Sequence, residues 1–432
     1  GGRDCGERCF AGGGGMSGWR TCKLKDVCDQ ITVGFVGTMA EHYRPTGVTF
    51  LRSLNIKPFR LNYEDLRFID EGFHNKIRKS ALRPGDVAVV RTGYPGTACV
   101  IPESLPDSNC SDLVIVRPSV LLNPHYLAAI FNSQFGKDLV GGNLVGAAQQ
   151  HFNVTVAKEL QLLIPPRGEQ DKIAAILSAY DDLIANNQRR ITLLERMAED
   201  IYREWFVRLR FPGHEDVKLD CGLPQGWRVA ELGEIFKTSS GGTPARDDPS
   251  NFGGDISWIK TGELKSTFAI GSEESITQRG IENSPAKVYP KHTVVMAMYC
   301  AMPDLSITAN DAATNQACCA FLPKNSSFHH SYCYFLVKFA QLQLVMFAHG
   351  AAQQNLSQEI IKKFPVVLPL EPLILAFGEK AAPIFDSIET LMRVNKELAS
   401  TRDALLPRLI SGKLSVDALD IRFPPGMQKQ VM

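Results

Sequence analysis

The sequence lacks a long apolar run, a charge excess and a zinc-knuckle pattern, and each absence excludes a class of protein. No stretch reaches the roughly 18 uninterrupted apolar residues of a membrane span, since three prolines and a glutamate break its most apolar segment, residues 364–377. The 11 cysteines are an odd, scattered set without the paired spacing of a zinc knuckle. We therefore expect a cytoplasmic protein with no membrane association and no metal site.

The charge balance excludes binding by bulk charge alone. Lys and Arg number 47 against 46 Asp and Glu, a net charge of +1. A protein that coats nucleic acid would carry a strong basic excess, although local basic faces stay possible. Hydrophobic residues at 44% and charged residues at 22% are typical of a globular chain with buried cores.

Sequence motifs for common catalysis are also missing. The Gly-Lys pairs at 136–137 and 412–413 are not followed by the Ser or Thr of a phosphate-binding loop. The sequence has no His-Glu-x-x-His helix, no Gly-x-Ser-x-Gly elbow, no dinucleotide-type glycine loop and no Asn/Asp-Pro-Pro-Tyr/Phe loop. We therefore expect no catalytic centre in this chain.

The chain is a tandem duplication. Gly-Trp-Arg at 18–20 recurs 208 residues later at 226–228, and Gly-Ala-Ala-Gln-Gln at 146–150 recurs 204 residues later at 350–354. Loop insertions and deletions explain the small change of offset. Because self-similarity at a long, fixed offset indicates repeated structural units, we predict two copies related by a pseudo-two-fold repeat.

Each copy is predicted to contain a compact domain followed by a long helix. Residues 87–90 and 293–296 follow proline turns and read as strands, whereas residues 124–135 and 331–347 read as helices. The irregular alternation predicts an α/β (α+β) domain with a mixed or mostly antiparallel sheet.

We predict six segments, of which the first is a glycine-rich leader or tag remnant ahead of a start at Met16. The others are two compact domains, two helical spacers and a tail. The predicted bounds are 1–16 for the leader, 17–166 and 216–370 for the domains, 167–215 and 371–418 for the spacers, and 419–432 for the tail.

The ends of the two copies carry heptad patterns. Apolar residues step by three and four positions over 173–205 and again over 381–409, the spacing of a coiled-coil seam. We therefore predict two long helices that pack against each other in antiparallel orientation, the first about 50 Å long at about 1.5 Å per residue. Pro383 and Pro407 are expected to start or kink the second helix.

An asparagine interrupts each heptad seam at the same place. Asn187 and Asn395 are 208 residues apart and so occupy equivalent positions. A buried asparagine in a seam fixes register at a cost in stability, whereas one at the seam's edge is merely solvated. We favour the register role.

Several long motifs identify a family. The central segment 198–215 reads Ala-Glu-Asp-Ile-Tyr-Arg-Glu-Trp-Phe-Val-Arg-Leu-Arg-Phe-Pro-Gly-His-Glu and closely resembles the central helical region of specificity subunits of Type I restriction-modification enzymes. Further motifs of that family occur at 226–228, 232–234, 241–244, 257–264, 314–317 and 405–414. The resemblance covers residues 17–420, with one departure at 298–303, where the family commonly has a glycine-containing turn.

The resemblance implies a DNA-binding role without catalysis. Each of two target-recognition domains would read one half of a bipartite asymmetric double-stranded DNA sequence, and the helices would set the spacing and dock two methyltransferase subunits. This chain would bind no cofactor. Partner methyltransferases would supply S-adenosylmethionine chemistry on adenine, and a restriction and motor subunit would supply ATP hydrolysis and Mg²⁺-dependent cleavage.

Base reading requires side chains with paired donors and acceptors on exposed loops, which selects candidates in both domains. Glutamines kept in both copies are weaker candidates, because the two half-sites differ and a shared residue favours a structural turn. The candidate DNA-binding residues are Lys76, Arg78, Lys79, Arg91, Thr92, Tyr94, Gln149, Gln150, Gly241, Gly242, Thr243, Lys260, Thr261, Tyr299, Gln353 and Gln354.

Two alternatives stay open at this point. Asp255, Glu263 and Lys265 resemble the spacing of a metal-dependent nuclease, although such short patterns arise by chance and the first copy has no counterpart. The chain could also be an interaction scaffold that joins two proteins without reading DNA. Residues 20–165 contain 16 basic and 13 acidic residues, and residues 226–368 contain 12 of each, so tight DNA binding is expected to depend on charge from partner subunits.

Overall fold

The chain folds as two compact units. The computed structural model describes residues 10–11, 18–105, 107–142, 151–220, 222–298, 304–350 and 356–423. Unit 1 comprises Gly1–Ile184 and Leu398–Met432, and unit 2 comprises Ala185–Glu397. Each unit combines one predicted recognition domain with part of both predicted spacer helices, while the predicted domain bounds stay a prediction.

Unit 1 contains the first fourteen strands and the first four helices. Its strands are β1 Phe10–Ala11, β2 Arg20–Lys23, β3 Cys28–Val33, β4 Tyr43–Arg44, β5 Val48–Leu51, β6 Ile56–Lys57, β7 Arg60–Leu61, β8 Arg67–Ile69, β9 Ala81–Leu82, β10 Val87–Val90, β11 Ala98–Val100, β12 Ser108–Cys110, β13 Leu113–Pro118 and β14 Gln161–Ile164. Its helices are α1 Glu71–Lys76, α2 Pro124–Asn132, α3 Gln134–Gly141 and α4 Val154–Glu159, followed by the start of α5 Arg167–Tyr202.

Two main sheets form the frame of unit 1. The first has the strand order β11-β10-β13-β3, with antiparallel pairs throughout. The second has the order β4-β8-β5-β12-β9 and contains one parallel pair, β5 with β12. Strand β10 is buried on both faces, as its uninterrupted apolar sequence requires.

Unit 2 contains the remaining strands and helices. Its strands are β15 Leu219–Asp220, β16 Leu223–Pro224, β17 Arg228–Glu231, β18 Phe236–Ser240, β19 Phe252–Ile259, β20 Phe268–Ala269, β21 Glu274–Ile276, β22 Val288–Tyr289, β23 Val294–Ala297, β24 Leu305–Thr308, β25 Ala312–Thr314, β26 Cys318–Pro323 and β27 Pro365–Leu368. Its helices are α6 Leu232–Ile235, α7 Gln278–Glu282, α8 His330–Gly350 and α9 Gln358–Lys363, with most of α10 Glu371–Ile410.

The sheets of unit 2 repeat those of unit 1. The order β18-β26-β23-β24 matches β3-β13-β10-β11 strand for strand, and β21-β19-β25-β22 matches β8-β5-β12-β9. The parallel pair recurs as well, in β19 with β25. The predicted internal repeat and the mixed α/β class are therefore confirmed.

The two long helices run antiparallel within each unit. In unit 2, Asn187 Nδ2 donates to Asn395 Oδ1 at 3.0 Å, and in unit 1, Arg402 pairs with Asp181 at 2.5 Å. Both helices cross from one unit to the other, with 36 residues in α5 and 40 in α10. The prediction of two long antiparallel helices is confirmed, and the first extends six residues further towards the N-terminus than the heptads indicate.

The proline prediction was wrong for the start of α10. The helix begins at Glu371 and continues through Pro383 and Pro407. Pro383 is exposed, whereas the neighbouring Ala381 and Ile384 are buried. We attribute the continuity to this apolar face, because its burial offsets the hydrogen bond that an interior proline lacks.

The helix predicted over 124–135 is two helices. Ser133 lies between them in an extended conformation, and its hydroxyl accepts from Gly136 N at 3.0 Å to cap α3. A Cβ at Gly136 would come within 2.0 Å of the Ile130 carbonyl oxygen. The close approach of the two helices therefore requires glycine here.

The central family motif packs into the core of unit 2. Helix α5 ends in a π-helical turn, Arg203–Val207. Tyr202 is buried and stacks on Phe339 with ring centroids 5.0 Å apart, and Phe211 stacks on Trp227 at 5.4 Å. The aromatic residues of the motif thus hold the end of α5 against the recognition domain. Among the described residues, no helix combines the length and apolar character of a membrane span.

Candidate nucleic-acid interface

A basic segment connects α1 to β9 in unit 1. Lys76 ends α1, and Arg78 and Lys79 lie in the 3₁₀ turn Arg78–Ser80. All three side chains are exposed. The turn is anchored at Ser80, which is buried and donates to Asn109 Oδ1 at 2.7 Å. An anchored turn with three exposed cations is suited to phosphate or base contact.

Arg91 and Thr92 both contact the carboxylate of Asp112 in another loop. Arg91 Nη1 lies 3.6 Å from Asp112 Oδ1, and the Thr92 hydroxyl donates to the other carboxylate oxygen. Asp112 has a φ of +55°, in the left-handed region. Because the Arg91 side chain is only 17% exposed, a base contact would require it to leave Asp112.

Tyr94 is the most exposed aromatic candidate of unit 1. It occupies the turn between β10 and β11 and is 83% exposed. Gly93 and Gly96 flank the turn with φ values of +83° and +89°, a conformation that favours glycine. A large exposed ring on a tight turn is available for stacking on a base or for packing in a groove.

The glycines of the Gly-Gly-Thr-Pro turn in unit 2 have a packing role. Gly241 and Gly242 are buried, and a Cβ on either would come within 2.3 Å of Thr314 or Ala286 backbone atoms. Trp258 Nε1 donates to the Gly242 carbonyl oxygen at 3.0 Å. These contacts give the two glycines a packing role, while their DNA contact stays a prediction. Thr243 follows them in the turn, and its hydroxyl donates to Gln316.

Lys260 is neutralised within unit 2. Its ammonium contacts Glu274 at 3.0 Å and Glu273 at 3.1 Å, and these bonds raise its pKa, Glu274 most strongly. Thr261 follows in a 3₁₀ turn and is half-buried. A phosphate contact by Lys260 would have to compete with two carboxylates.

Five candidates lie outside the described residues, and their DNA-binding role stays a prediction. The same holds for the departure from the family pattern after residue 298. The five residues are Gln149, Gln150, Tyr299, Gln353 and Gln354.

The nuclease-like residues have other contacts. Glu263 accepts from the backbone nitrogens of Lys260 and Glu273 at 2.7 and 2.6 Å, and Lys265 pairs with Asp304 at 2.5 Å. Within the described ranges, no three His, Cys, Asp or Glu side chains are grouped so that they could hold a metal ion. These contacts give Glu263 and Lys265 roles in fixing a loop.

The interpretation of the sequence missed three exposed lysines, Lys158, Lys287 and Lys362. Lys158 lies on α4 and Lys362 on α9, while Lys287 immediately precedes β22. The signal was present, because Lys287 is 208 residues after Lys79 and Lys362 is 204 after Lys158. The repeat offsets, applied to charged residues, would have found them.

Comparison with known proteins identifies the family. Residues 16–196 and 224–398 each match the Type I restriction modification DNA specificity domain. The chain belongs to this family. Its two recognition domains therefore serve DNA sequence specificity, and the two matches coincide with the two copies of the internal repeat.

Three similar proteins match between 59% and 93% of the chain. The Type I restriction enzyme MjaIX specificity subunit of Methanocaldococcus jannaschii is 24% identical over 93% of this chain and 94% of its own. The HindI specificity subunit of Haemophilus influenzae is 22% identical over 59% of this chain and 69% of its own. The S subunit of the M. genitalium Type I system has a similar fold, with a TM-score of 0.57 and 15% identity over 90% of this chain and 96% of its own.

Proposed function

We propose that the chain is the DNA-reading subunit of a Type I restriction-modification complex, in which each unit reads one half of a bipartite asymmetric target. The observation that carries this proposal is the repetition of one sheet order in both units, combined with unlike sequences at equivalent turns. After β10 the chain reads Arg-Thr-Gly-Tyr, whereas after the equivalent β23 it reads Met-Tyr-Cys-Ala. A shared frame with different loops fits two different half-sites.

The exposed candidates of unit 1 are the best base readers available. Lys76 and Arg78 are exposed, and Tyr94 is at a turn tip. Arg91 is held by Asp112 in the free chain, so it contributes only if guanine replaces that carboxylate. In unit 2, the proposed base readers are Thr243 and its hydrogen-bond partner Gln316.

The two helices are proposed to set the distance between the half-sites. Both α5 and α10 contribute residues to both units. Seven residues added to each helix would lengthen it by about 10 Å at about 1.5 Å per residue, close to three base pairs at about 3.4 Å. The seam pattern is kept because seven residues are one heptad.

An apolar groove on the helices of unit 2 is the proposed docking surface for a methyltransferase subunit. Leu193 is 64% exposed and Met197 is 46% exposed, and both line the groove with Ile201 and Trp205. Exposed apolar side chains grouped this way mark interaction sites. We name these four residues the helix groove.

The chain itself is proposed to be non-catalytic and to bind no cofactor. Glu263 and Lys265 make loop contacts, which leaves Asp255 without its two partners of the nuclease-like pattern. Methyl transfer from S-adenosylmethionine, ATP hydrolysis and cleavage with Mg²⁺ would come from the methyltransferase and restriction subunits. If the chain were a nuclease, the purified chain would cleave DNA with Mg²⁺ and Lys265→Ala would abolish cleavage.

Methylation profiling tests the proposal directly. Host DNA is sequenced for methylated bases with this chain present, absent, or carrying one added heptad in both helices after Ile184 and after Glu397. We expect one bipartite motif that disappears without the chain and whose gap grows by about three base pairs in the heptad variant. A motif that persists without the chain contradicts the reading role, and an unchanged gap contradicts only the spacing role.

A further inference from the structure

An open groove runs along the edge strand β3 in unit 1. Strand β3 ends the sheet order β11-β10-β13-β3, so its outer edge is not covered by another strand of that sheet. The groove has a volume of about 540 Å³, and all of β3, Cys28–Val33, lines it. Its rim carries Lys25, Lys79 and Lys158, with Asp29 as the acid in the lining.

Two of these three lysines carry charge that the unit does not neutralise. Lys25 contacts Glu159 at 2.5 Å and is paired. Lys79 and Lys158 are exposed, and neither forms an ion pair with an acidic residue in the part of the chain that the structure describes. Lys79 reaches the groove from the 3₁₀ turn before β9, and Lys158 reaches it from α4.

Unit 2 repeats this arrangement around β18, the equivalent edge strand. Lys287 Nζ lies 3.3 Å from Ser239 Oγ on β18. Gln358 Nε2 donates to Ser240 Oγ, also on β18, at 2.6 Å and fixes the first turn of α9 against the strand. Lys362 lies four residues after Gln358 on α9 and therefore on the same helix face. Lys158 lies four residues after Val154 on α4 in the same way, and both line the groove of unit 1.

The lysine pairs are shared between units that otherwise differ at their loops. Lys79 and Lys287 occupy equivalent positions, and so do Lys158 and Lys362. The two half-sites of an asymmetric target differ in bases but not in phosphates. A residue needed in both units is therefore suited to the backbone of DNA, which positions a protein without carrying sequence information.

We infer that the β3 groove with Lys79 and Lys158, and the β18 edge with Lys287 and Lys362, each bind the DNA phosphate backbone. This inference rests on the proposed DNA-reading function and adds the contact that anchors each unit beside its half-site. Neutralised cations such as Lys25 and Lys260 do not belong to it, because a carboxylate already occupies each of them.

The salt dependence of DNA binding tests the inference. The full chain is purified with its methyltransferase subunits. The affinity of this complex for a DNA duplex that contains the motif found by methylation profiling is measured between about 50 and 200 mM salt. Each lost phosphate contact lowers the slope of log affinity against log salt by about 0.9. Lys79→Gln with Lys158→Gln, or Lys287→Gln with Lys362→Gln, should each reduce the slope by about 2.

Matched variants separate local contact from loss of bulk charge. Lys57→Gln removes an exposed lysine from β6, which packs by β11 at the opposite edge of the same sheet, and it should leave the slope unchanged. The double variant Lys79→Arg with Lys158→Arg keeps both positive charges and should show the wild-type slope. The preference for the motif over a mismatched duplex should persist in every variant, because these lysines contact no base edges.

The outcomes distinguish the inference from the function on which it rests. If the wild-type complex shows no sequence preference, the DNA-reading function itself fails. If it shows the preference while the lysine variants keep the wild-type slope, only the phosphate contact is refuted. Loss of the preference in the glutamine variants, or loss of methyltransferase binding at an unchanged slope, would also overturn the inference, because the lysines would then contact bases or a protein.

Discussion

At the scale of single residues, the cations of the recognition domains separate into paired and unpaired groups. Arg91 and Lys260 are matched by carboxylates within 3.6 Å, whereas Lys79 and Lys158 are exposed on a groove. The first group stabilises loops, and the second is available to a polyanion. Residue type alone does not separate these groups, since all four are basic residues near turns.

Buried histidines in unit 2 should make its stability depend on pH. Burial lowers the pKa of His330 to about 2, assisted by His329, His292 and Lys291. The rings of His292 and His329 lie 4.0 Å from that of His330, and Glu389 Oε2 accepts from His292 Nε2 at 3.0 Å. In the unfolded chain the pKa of a histidine is about 6.5.

We expect unit 2 to lose stability as the pH falls from 7 to 5. The unfolded chain binds a proton at His330 below pH 6.5 while the folded chain does not, so protonation favours unfolding. His330→Phe, which keeps the ring between Phe268 and Phe385, should reduce this pH dependence, although His329 retains part of it. Urea unfolding followed by tryptophan fluorescence measures the effect, because Trp205, Trp227 and Trp258 are all in unit 2. An equal pH dependence in both proteins would contradict it.

At the scale of elements, the two long helices depend on a polar contact inside an apolar seam. Asn187 is 7% exposed and bonds Asn395 at 3.0 Å, while Ile191 and Leu391 beside them are buried. A hydrogen-bonded amide pair inside an apolar seam restricts the helices to registers in which the two amides meet. The observed bond supports the register role that the repeat offset suggested.

Replacing the asparagines should show coupling between them. Asn187→Ala or Asn395→Ala leaves a partly buried amide without this partner and should cost about 1–3 kcal/mol in unfolding free energy. Asn187→Leu with Asn395→Leu should recover that loss, because the seam around the pair is apolar. Urea unfolding of the single and double variants gives the coupling energy. Strictly additive effects would show that the pair does not act as a unit.

At the scale of the whole molecule, the near-neutral net charge and the exposed apolar groove both indicate that the chain functions as part of a complex. The recognition domains have basic excesses of only three and zero, and DNA affinity depends strongly on phosphate neutralisation. We therefore propose that the partner subunits supply most of the charge and occupy the helix groove.

Charge placed in the helix groove should prevent assembly. Leu193→Glu with Met197→Glu puts two carboxylates on the proposed docking surface, so the chain should no longer co-purify with its methyltransferase subunits and should bind DNA more weakly. Its unfolding free energy should change little, because both positions are exposed. Leu219→Glu is the control, since Leu219 is 65% exposed but lies on β15, outside the helices. Normal assembly of the double variant would refute the docking surface.

The sequence alone determined the duplication, the long helices and the family. These features follow from two patterns, a fixed offset between repeated motifs and an apolar residue at every third or fourth position. Both patterns can be recognised in the sequence without any knowledge of tertiary contacts. The second helix shows the limit of such patterns. The helix starts at Glu371 and continues through Pro383 because Ala381, Ile384 and Phe385 pack in the core of unit 2.

Only the tertiary structure decided which candidate residues are exposed and which are held by other residues. Arg91 meets Asp112 from another loop, Gly241 packs on Thr314, and Lys260 meets Glu274 from another strand. Charge neutralisation and burial depend on distances between residues far apart in the chain, and a sequence pattern carries no such distances. The repeat offsets already relate the lysine pairs in the sequence, but only the sheet order shows that they belong to the equivalent edge strands β3 and β18.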